Sequence, residues 1–107
     1  MTEPERAYVG CAIDTDGHAA LRIVNHRYLQ WTIAVTGADL EIMSAMLRAT
    51  GCGGIHLCCK KDSRGMLNVT KDCWRWYTSR KAEIINISLQ CSAYSSKLQR
   101  VVAYFGL

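Results

Sequence analysis

Two carboxylates, Asp14 and Asp16, stand near the start of the chain in the segment IDTDG. They fall at the end of a predicted helix over about residues 3–16, which Thr2 and Glu5 introduce with the spacing of a capping box. Acids are disfavoured at a helix C-terminus by the helix dipole, so the pair calls for a compensating cation, and a metal ion is one. The simpler interpretation is a helix stop, with the following glycine in a left-handed conformation.

Other residues capable of metal or redox chemistry lack the necessary spacing. The six cysteines contain no CxxC pair and no zinc-finger pattern. His18, His26 and His56 have no carboxylate or thiol at ligand spacing. The polar, acidic N-terminus resembles neither a signal peptide nor a transit peptide, so we expect reduced thiols that act as small apolar residues in an intracellular protein.

Charge is distributed unevenly along the chain. Residues 1–50 hold four arginines and six acids, whereas residues 51–107 hold nine basic residues and three acids. The basic half suggests a polyanionic partner, although a net charge of +4 alone is a weak signal. The 50% hydrophobic composition excludes disorder, and no apolar run approaches the ~20 residues that span a membrane.

Hydrophobic periodicity predicts the elements that must position these groups. After the first helix, alternating residues predict strands, and apolar residues at helical spacing predict the remaining helices. The predicted strands cover residues 18–26, 28–36, 55–61 and 71–78, and the helices run from Asp39 to Gly51, from Ser79 to about Tyr94, and onward from Ser95 or Ser96. This order predicts one α+β domain over residues 1–107, an antiparallel sheet with helices on one face and an open, polar, basic second face.

Residues 8–17, YVGCAIDTDG, resemble the LAGLIDADG signature of homing endonucleases. The last five residues fit closely, and Gly10 and Cys11 are small where the signature has Ala-Gly. WRWYTSRKA (74–82) is similar to the family's strand-to-helix corner, and SSKLQ (95–99) to the basic segment of its last helix. The resemblance extends over about residues 5–105 and implies the αββαββα(α) fold of that family, with a curved sheet.

The resemblance also implies an activity. It implies a homodimer that binds a long pseudo-palindromic site in double-stranded DNA and hydrolyses both strands across the minor groove. Asp16 would be catalytic and hold Mg²⁺, with Mn²⁺ as a substitute, and Lys97 would be the basic catalytic residue. The family often has a polar residue after the second strand, where this chain has Gly37 or Ala38, and this departure puts the rate of cleavage in question.

In the family the motif helix packs against its twin across a two-fold axis. The resemblance therefore implies a dimer interface, with small residues allowing close approach and Asp14 satisfying backbone amides of the partner. Its residues would be Val9, Gly10, Cys11, Ile13 and Asp14.

The family lays its sheet in the DNA major groove, so the open face is the expected DNA-reading surface. Alternation places on it Arg22, His26, Gln30, Thr32, His56 and Lys60, whose side chains can pair with base edges. Lys61 and Arg64, near the second hairpin, are expected to contact phosphates. Apolarity turns Trp74 and Trp76 toward the core and Arg75 toward the DNA. Alignment to the family could give the opposite orientation, with Arg75 toward the core.

Two other readings of the sequence stay open. The runner-up is a nucleic-acid-binding protein of the same fold that has weak or no cleavage activity, such as an RNA maturase or a DNA-binding regulator. The third is a small structural α+β domain, which leaves the open polar face without a role. An intron-encoded endonuclease of an organelle, a prokaryote or a phage is the leading interpretation.

Overall fold

The computed structural model of the protein describes residues 1–59 and 72–107, and it confirms the α+β class. Four helices pack on one face of a four-stranded antiparallel sheet with the strand order β1-β2-β4-β3. The elements are α1 (Glu3–Asp16), β1 (Gly17–Val24), β2 (Tyr28–Gly37), α2 (Leu40–Thr50), β3 (Gly54–Cys59), β4 (Cys73–Thr78), α3 (Lys81–Cys91), a short 3-10 helix (Ser92–Tyr94) and α4 (Ser96–Phe105). Three predicted DNA-binding residues, Lys60, Lys61 and Arg64, lie outside the described residues.

The start of α1 follows the sequence prediction. Thr2 accepts a hydrogen bond from the Glu5 amide, and the Glu5 carboxylate accepts one from the Thr2 amide, which completes the capping box. The end of α1 differs from the prediction, because Gly17 is extended (φ −116°) rather than left-handed. A Cβ on Gly17 would lie 2.5 Å from the carbonyl oxygen of Ala34, so glycine is required there for close packing of the helix end on β2.

The core lies between the sheet and the helices. Ile33 and Val35 of β2, Trp76 of β4, and residues of all four helices are almost completely buried there. Trp74 packs against this core as well, while the intervening Arg75 projects from the opposite face of the sheet. The two tryptophans therefore face inward, and of the two orientations considered, the one indicated by apolarity is correct.

Two boundaries differ from the predicted ones. The first strand ends at Val24, because Asn25 and His26 adopt positive φ values (54° and 56°) in a turn closed by the Arg27 amide and the Val24 carbonyl. His26 is thus an exposed turn residue and not a strand residue. The third helix begins after Arg80 rather than at a Ser79 cap, since the Ser79 hydroxyl lies 3.0 Å from that of Thr32.

Candidate carboxylate site and nucleic-acid interface

Asp16 is the last residue of α1, at the point where the chain enters the sheet. Its side chain is exposed, and no group among the described residues donates a hydrogen bond to its carboxylate or forms an ion pair with it. The close packing of Gly17 on β2 fixes the position of this helix end. The arrangement presents one free carboxylate to solvent beside the sheet.

Lys97, near the start of α4, supplies a cation to this helix end. Its ammonium lies 2.8 Å from the carbonyl oxygen of Gly17 and 3.5 Å from that of Ile13. Cations stabilise the C-terminus of a helix, where carbonyl groups lack intrahelical partners. The protein itself therefore provides at least part of the positive charge that the two acids at this helix end require.

Asp14 has a different environment from Asp16. Its Oδ1 atom accepts hydrogen bonds from the Ser96 amide (3.0 Å), the Ser96 hydroxyl (3.0 Å) and the Ser95 hydroxyl (3.3 Å). Hydrogen bonds, with the one from the Ser96 hydroxyl contributing most, hold the pKa of the Asp14 carboxyl below its usual value. Asp14 thus satisfies the N-terminus of a helix, as expected, and within this chain that helix is α4.

Most of the other predicted interface residues of α1 point into the interior of this chain. Val9 and Ile13 are completely buried in the core of this chain, because α1 packs against the sheet, α3 and α4. Gly10 is buried against the short 3-10 helix, where a Cβ would lie 2.5 Å from that of Tyr94. Of the predicted set only Cys11 is exposed, and it shares the outward face of α1 with three other exposed residues at helical spacing: Pro4, Tyr8 and Thr15.

The open face of the sheet forms a groove of about 600 Å³. Strand pairing sets Arg22 opposite Gln30 and His56 opposite Arg75, with all four side chains on this face. The groove therefore gathers five predicted DNA-binding residues, namely Arg22, Gln30, Thr32, His56 and Arg75. In the described strands, the side chains on this face include no acidic residue, so its fixed charge is positive.

A contact that sequence reasoning missed crosses this face. Arg75 on β4 donates a hydrogen bond to the Nε2 atom of His18 on β1 (3.3 Å), over the fully buried Ala34 of the intervening β2. Burial, followed by the charges of Arg75, Arg22 and Lys97, lowers the pKa of His18. The neutral imidazole is the form that accepts a hydrogen bond from arginine, so the contact and the electrostatics agree.

Tyr77 and Ser79 also line the groove without having been predicted to do so. The Tyr77 ring packs edge-on against His56, with ring centroids 5.0 Å apart. Alternation from Arg75 along β4 and one residue beyond its end places both residues on the open face. The sequence therefore indicates them once Arg75 is known to face outward.

The carboxylate of Asp16 is a suitable ligand for a divalent cation, but a single carboxylate does not complete a metal site. Magnesium prefers oxygen ligands and is usually held by one or two carboxylates, with waters and substrate phosphates completing its shell. Asp16 is exposed and free to serve as one such ligand. Within residues 1–59 and 72–107 no three His, Cys, Asp or Glu side chains converge as a metal site, so further ligands would come from DNA, water or a second chain.

Structure comparison identifies the architecture where sequence comparison does not. No protein-family model matches the sequence, and no curated protein matches it. The homing endonuclease I-CvuI, in a complex with its target, has a TM-score of 0.69 over 94% of this chain and 64% of that chain, at 14% identity. The LAGLIDADG meganuclease I-AabMI has a TM-score of 0.65 over 83% of this chain and 29% of that chain, at 12% identity.

A third protein, the LAGLIDADG homing endonuclease I-GzeII, has a TM-score of 0.64 over 92% of this chain and 33% of that chain, at 13% identity. This chain has the LAGLIDADG homing endonuclease fold. It spans 64% of the I-CvuI chain and about a third or less of the other two. Within the LAGLIDADG fold of this chain, the YVGCAIDTDG segment covers the C-terminal part of α1 and ends at Gly17, the first residue of β1.

The described part of the LAGLIDADG fold contains no helix that is long and apolar enough to cross a membrane. Its thiols range from exposed Cys11 and Cys58 to fully buried Cys91, for which burial raises the pKa to about 11. Buried Cys91 therefore behaves as the small apolar residue that the sequence predicted.

Proposed function

We propose that two copies of this chain form a site-specific DNA endonuclease that hydrolyses both strands with a divalent metal ion, Mg²⁺ or Mn²⁺. The observation that supports the proposal best is the free, exposed carboxylate of Asp16 at the end of a positively charged open sheet face. Solved structures of the same fold, I-CvuI, I-AabMI and I-GzeII, contain bound DNA, which favours the same class of ligand here.

The groove would bind double-stranded DNA through contacts with base edges, and residues beside it would contact flanking nucleotides. Arg22, Gln30 and His56 carry donors and acceptors that can pair with base edges in a major groove. His26, in the exposed turn between β1 and β2, would contact flanking nucleotides. Thr32 is 8% exposed and already bonded to Ser79, so we assign it to shaping the groove.

Asp16 and Lys97 would carry the chemistry at the end of the sheet where β1 begins. Asp16 would hold the metal ion, which when bound neutralises charge on the phosphate and activates water. Lys97 fixes the end of α1 through the Gly17 carbonyl, and an ammonium has a third proton with which it can contact a phosphate oxygen. One carboxylate per chain is too few for two scissile bonds, which is why the proposal requires two copies.

The exposed face of α1, rather than its buried residues, is the surface on which we propose the second copy packs. Tyr8, Cys11 and Thr15 form a continuous stripe there. Thr15 donates its hydroxyl proton to the Cys11 carbonyl (2.8 Å), so this polar group is already satisfied within the helix. Packing of two such faces would bring both Asp16 carboxylates toward one axis.

Selection of cleaved plasmids from a randomised target library tests the proposed function, with Mg²⁺ compared against Ca²⁺. We expect Asp16→Asn to abolish cleavage while DNA affinity is retained, because the substitution removes a metal-ligand charge and preserves the shape of the side chain. Glu41→Gln, which neutralises an exposed acid on α2, is the matched control and should cleave normally. Full cleavage by Asp16→Asn in Mg²⁺ would refute the assignment.

A binding-only protein, either an RNA maturase or a DNA-binding regulator, is the second candidate. Gly37 ends β2, and neither it nor Ala38 has a polar side chain that could order water near the metal. If that selection yields no cleaved plasmid in Mg²⁺ or Mn²⁺ while a separate binding assay detects specific DNA or RNA binding, the result would favour this candidate.

A further inference from the structure

The guanidinium of Arg75 has no anionic partner in the part of the chain that the structure describes. It donates to neutral His18, and its Nε atom is buried without any hydrogen-bond partner. A partly buried charge is costly unless an opposite charge pairs with it. Lys97 brings a second positive charge nearby, since its ammonium donates to the carbonyl of Gly17, the residue before His18.

The Arg75–His18 contact lies at the end of the sheet where β1 begins directly after Asp16. His18 follows Asp16 by two residues, and Lys97 is bonded to the intervening Gly17. Arg75 pairs in the sheet with Thr36, next to the end of β2, and its side chain then crosses toward β1. An anion bound by the Arg75 side chain would therefore lie on the open face near the start of β1, the strand that follows Asp16.

We propose that Arg75 binds the DNA phosphate at the Asp16 centre, and that His18 is a positioning residue that holds its guanidinium there. The inference rests on the proposed function and gives Arg75, which was predicted only to face the DNA, the role of phosphate binding. A guanidinium matches the oxygens of a phosphodiester in a two-pronged geometry. It would supply, from β4, a polar group close to the place where Gly37 and Ala38 provide none.

The salt dependence of binding to a random-sequence duplex measures phosphate contacts without requiring a cleavable site. Arg75→Gln should lower the slope of log affinity against log salt by about 0.9 for each copy that contacts a phosphate. Arg75→Lys should retain the slope, because it retains the charge. Arg100→Gln, an exposed arginine on α4, is the matched control and should leave the slope unchanged.

The cleavage rate on a target selected with wild-type protein tests the catalytic part. Under single-turnover conditions Arg75→Gln should cleave on the order of 10²-fold more slowly. His18→Ala should approach this loss, and His18→Gln should recover part of the rate, because its amide oxygen can accept the hydrogen bond from Arg75. Combining His18→Ala with Arg75→Gln should add little to Arg75→Gln alone, since both act through one group.

The outcomes separate this inference from the proposed function. Wild-type cleavage together with an unchanged slope and rate in a folded Arg75→Gln variant would refute the inference and leave the endonuclease intact. An unchanged slope with altered preference at one base pair would show that Arg75 reads a base, which also refutes it. Binding without cleavage by the wild type, with the slope lowered in Arg75→Gln, would refute the endonuclease and support phosphate binding.

Discussion

Asp14 and Asp16 are separated by one residue, yet the structure gives them opposite roles. Asp14 turns toward α4 and accepts three hydrogen bonds, whereas Asp16 points into solvent with its carboxylate free. The difference follows from helix geometry, because a step of two residues rotates a side chain by about 200° around the axis. A helix end can therefore fasten one acid to the fold and present the other to a ligand.

Glycine at position 10 should be essential for packing, whereas glycine at position 37 should not. A Cβ on Gly10 would lie 2.5 Å from Cβ of Tyr94 and 2.8 Å from the carbonyl oxygen of Cys91, while one on Gly37 would lie 3.5 Å from Cε of Met43. We expect Gly10→Ala to lower the free energy of unfolding by about 1–3 kcal/mol, an overpacking cost. Urea unfolding with Gly37→Ala as the control measures this, and equal stability of the two variants would contradict it.

Thiol reactivity should follow burial. At pH 8, iodoacetamide should label exposed Cys11 on the order of 10²-fold faster than Cys91, because only the thiolate reacts and the buried Cys91 thiol stays largely protonated. The pKa of the Cys91 thiol is raised to about 11 by burial. Peptide mass mapping of the labelled native protein gives both rates, with labelling in urea as the control. Comparable native rates would show that Cys91 is accessible.

At the scale of elements, one hydrogen-bond cluster joins the motif helix to the last helix. The Ser95 hydroxyl caps α4 by accepting from the Leu98 amide, and Asp14 accepts from the Ser96 amide next to it. In return, Lys97 of α4 donates to carbonyls at the end of α1. Each helix thus satisfies the terminus of the other, which fixes Asp16 in place.

Asp14→Ala should therefore destabilise the fold in a pH-dependent way. The folded-state pKa of Asp14 is lowered, so its contribution is present above the ordinary aspartate pKa and is lost as the pH falls through the lowered value. We expect the variant to melt several degrees below the wild type at pH 7 and the difference to shrink near pH 2. Thermal melts at both pH values measure this, and a difference that persists at pH 2 would assign the loss to packing.

At the scale of the whole molecule, the exposed stripe of α1 predicts a homodimer. Tyr8 is 42% exposed at the centre of the molecule's motif helix, and Tyr8→Lys would place a charge on the proposed contact surface. We expect the wild type to sediment at roughly twice the 12.0 kDa chain mass and the variant to sediment as a monomer. Leu89→Lys, at a 55% exposed position on α3, should remain dimeric.

A wild-type mass that stays near 12.0 kDa at high protein concentration would contradict the dimer. Such a result would leave a single Asp16 carboxylate at each centre. It would favour the binding-only protein, since double-strand cleavage would then lack its second carboxylate.

Local features of this protein could be predicted from the sequence because neighbouring residues determine them. The Thr2–Glu5 capping box, the Asp39 cap of α2 and the alternation of β2 depend on contacts within a few residues. The IDTDG segment and the order of elements were enough to indicate the fold. The inward orientation of Trp76 likewise followed from the tendency of large apolar side chains to leave water.

Only the tertiary structure decided which distant groups meet. Helical periodicity alone is compatible with Ile13 facing either the core or a partner helix. The packing of α1 against α3, α4 and the sheet decides that it faces the core. The strand order β1-β2-β4-β3 brings Arg75 to within 3.3 Å of His18, 57 residues away. Such contacts arise from sheet pairing across the whole chain, and no spacing in the sequence encodes them.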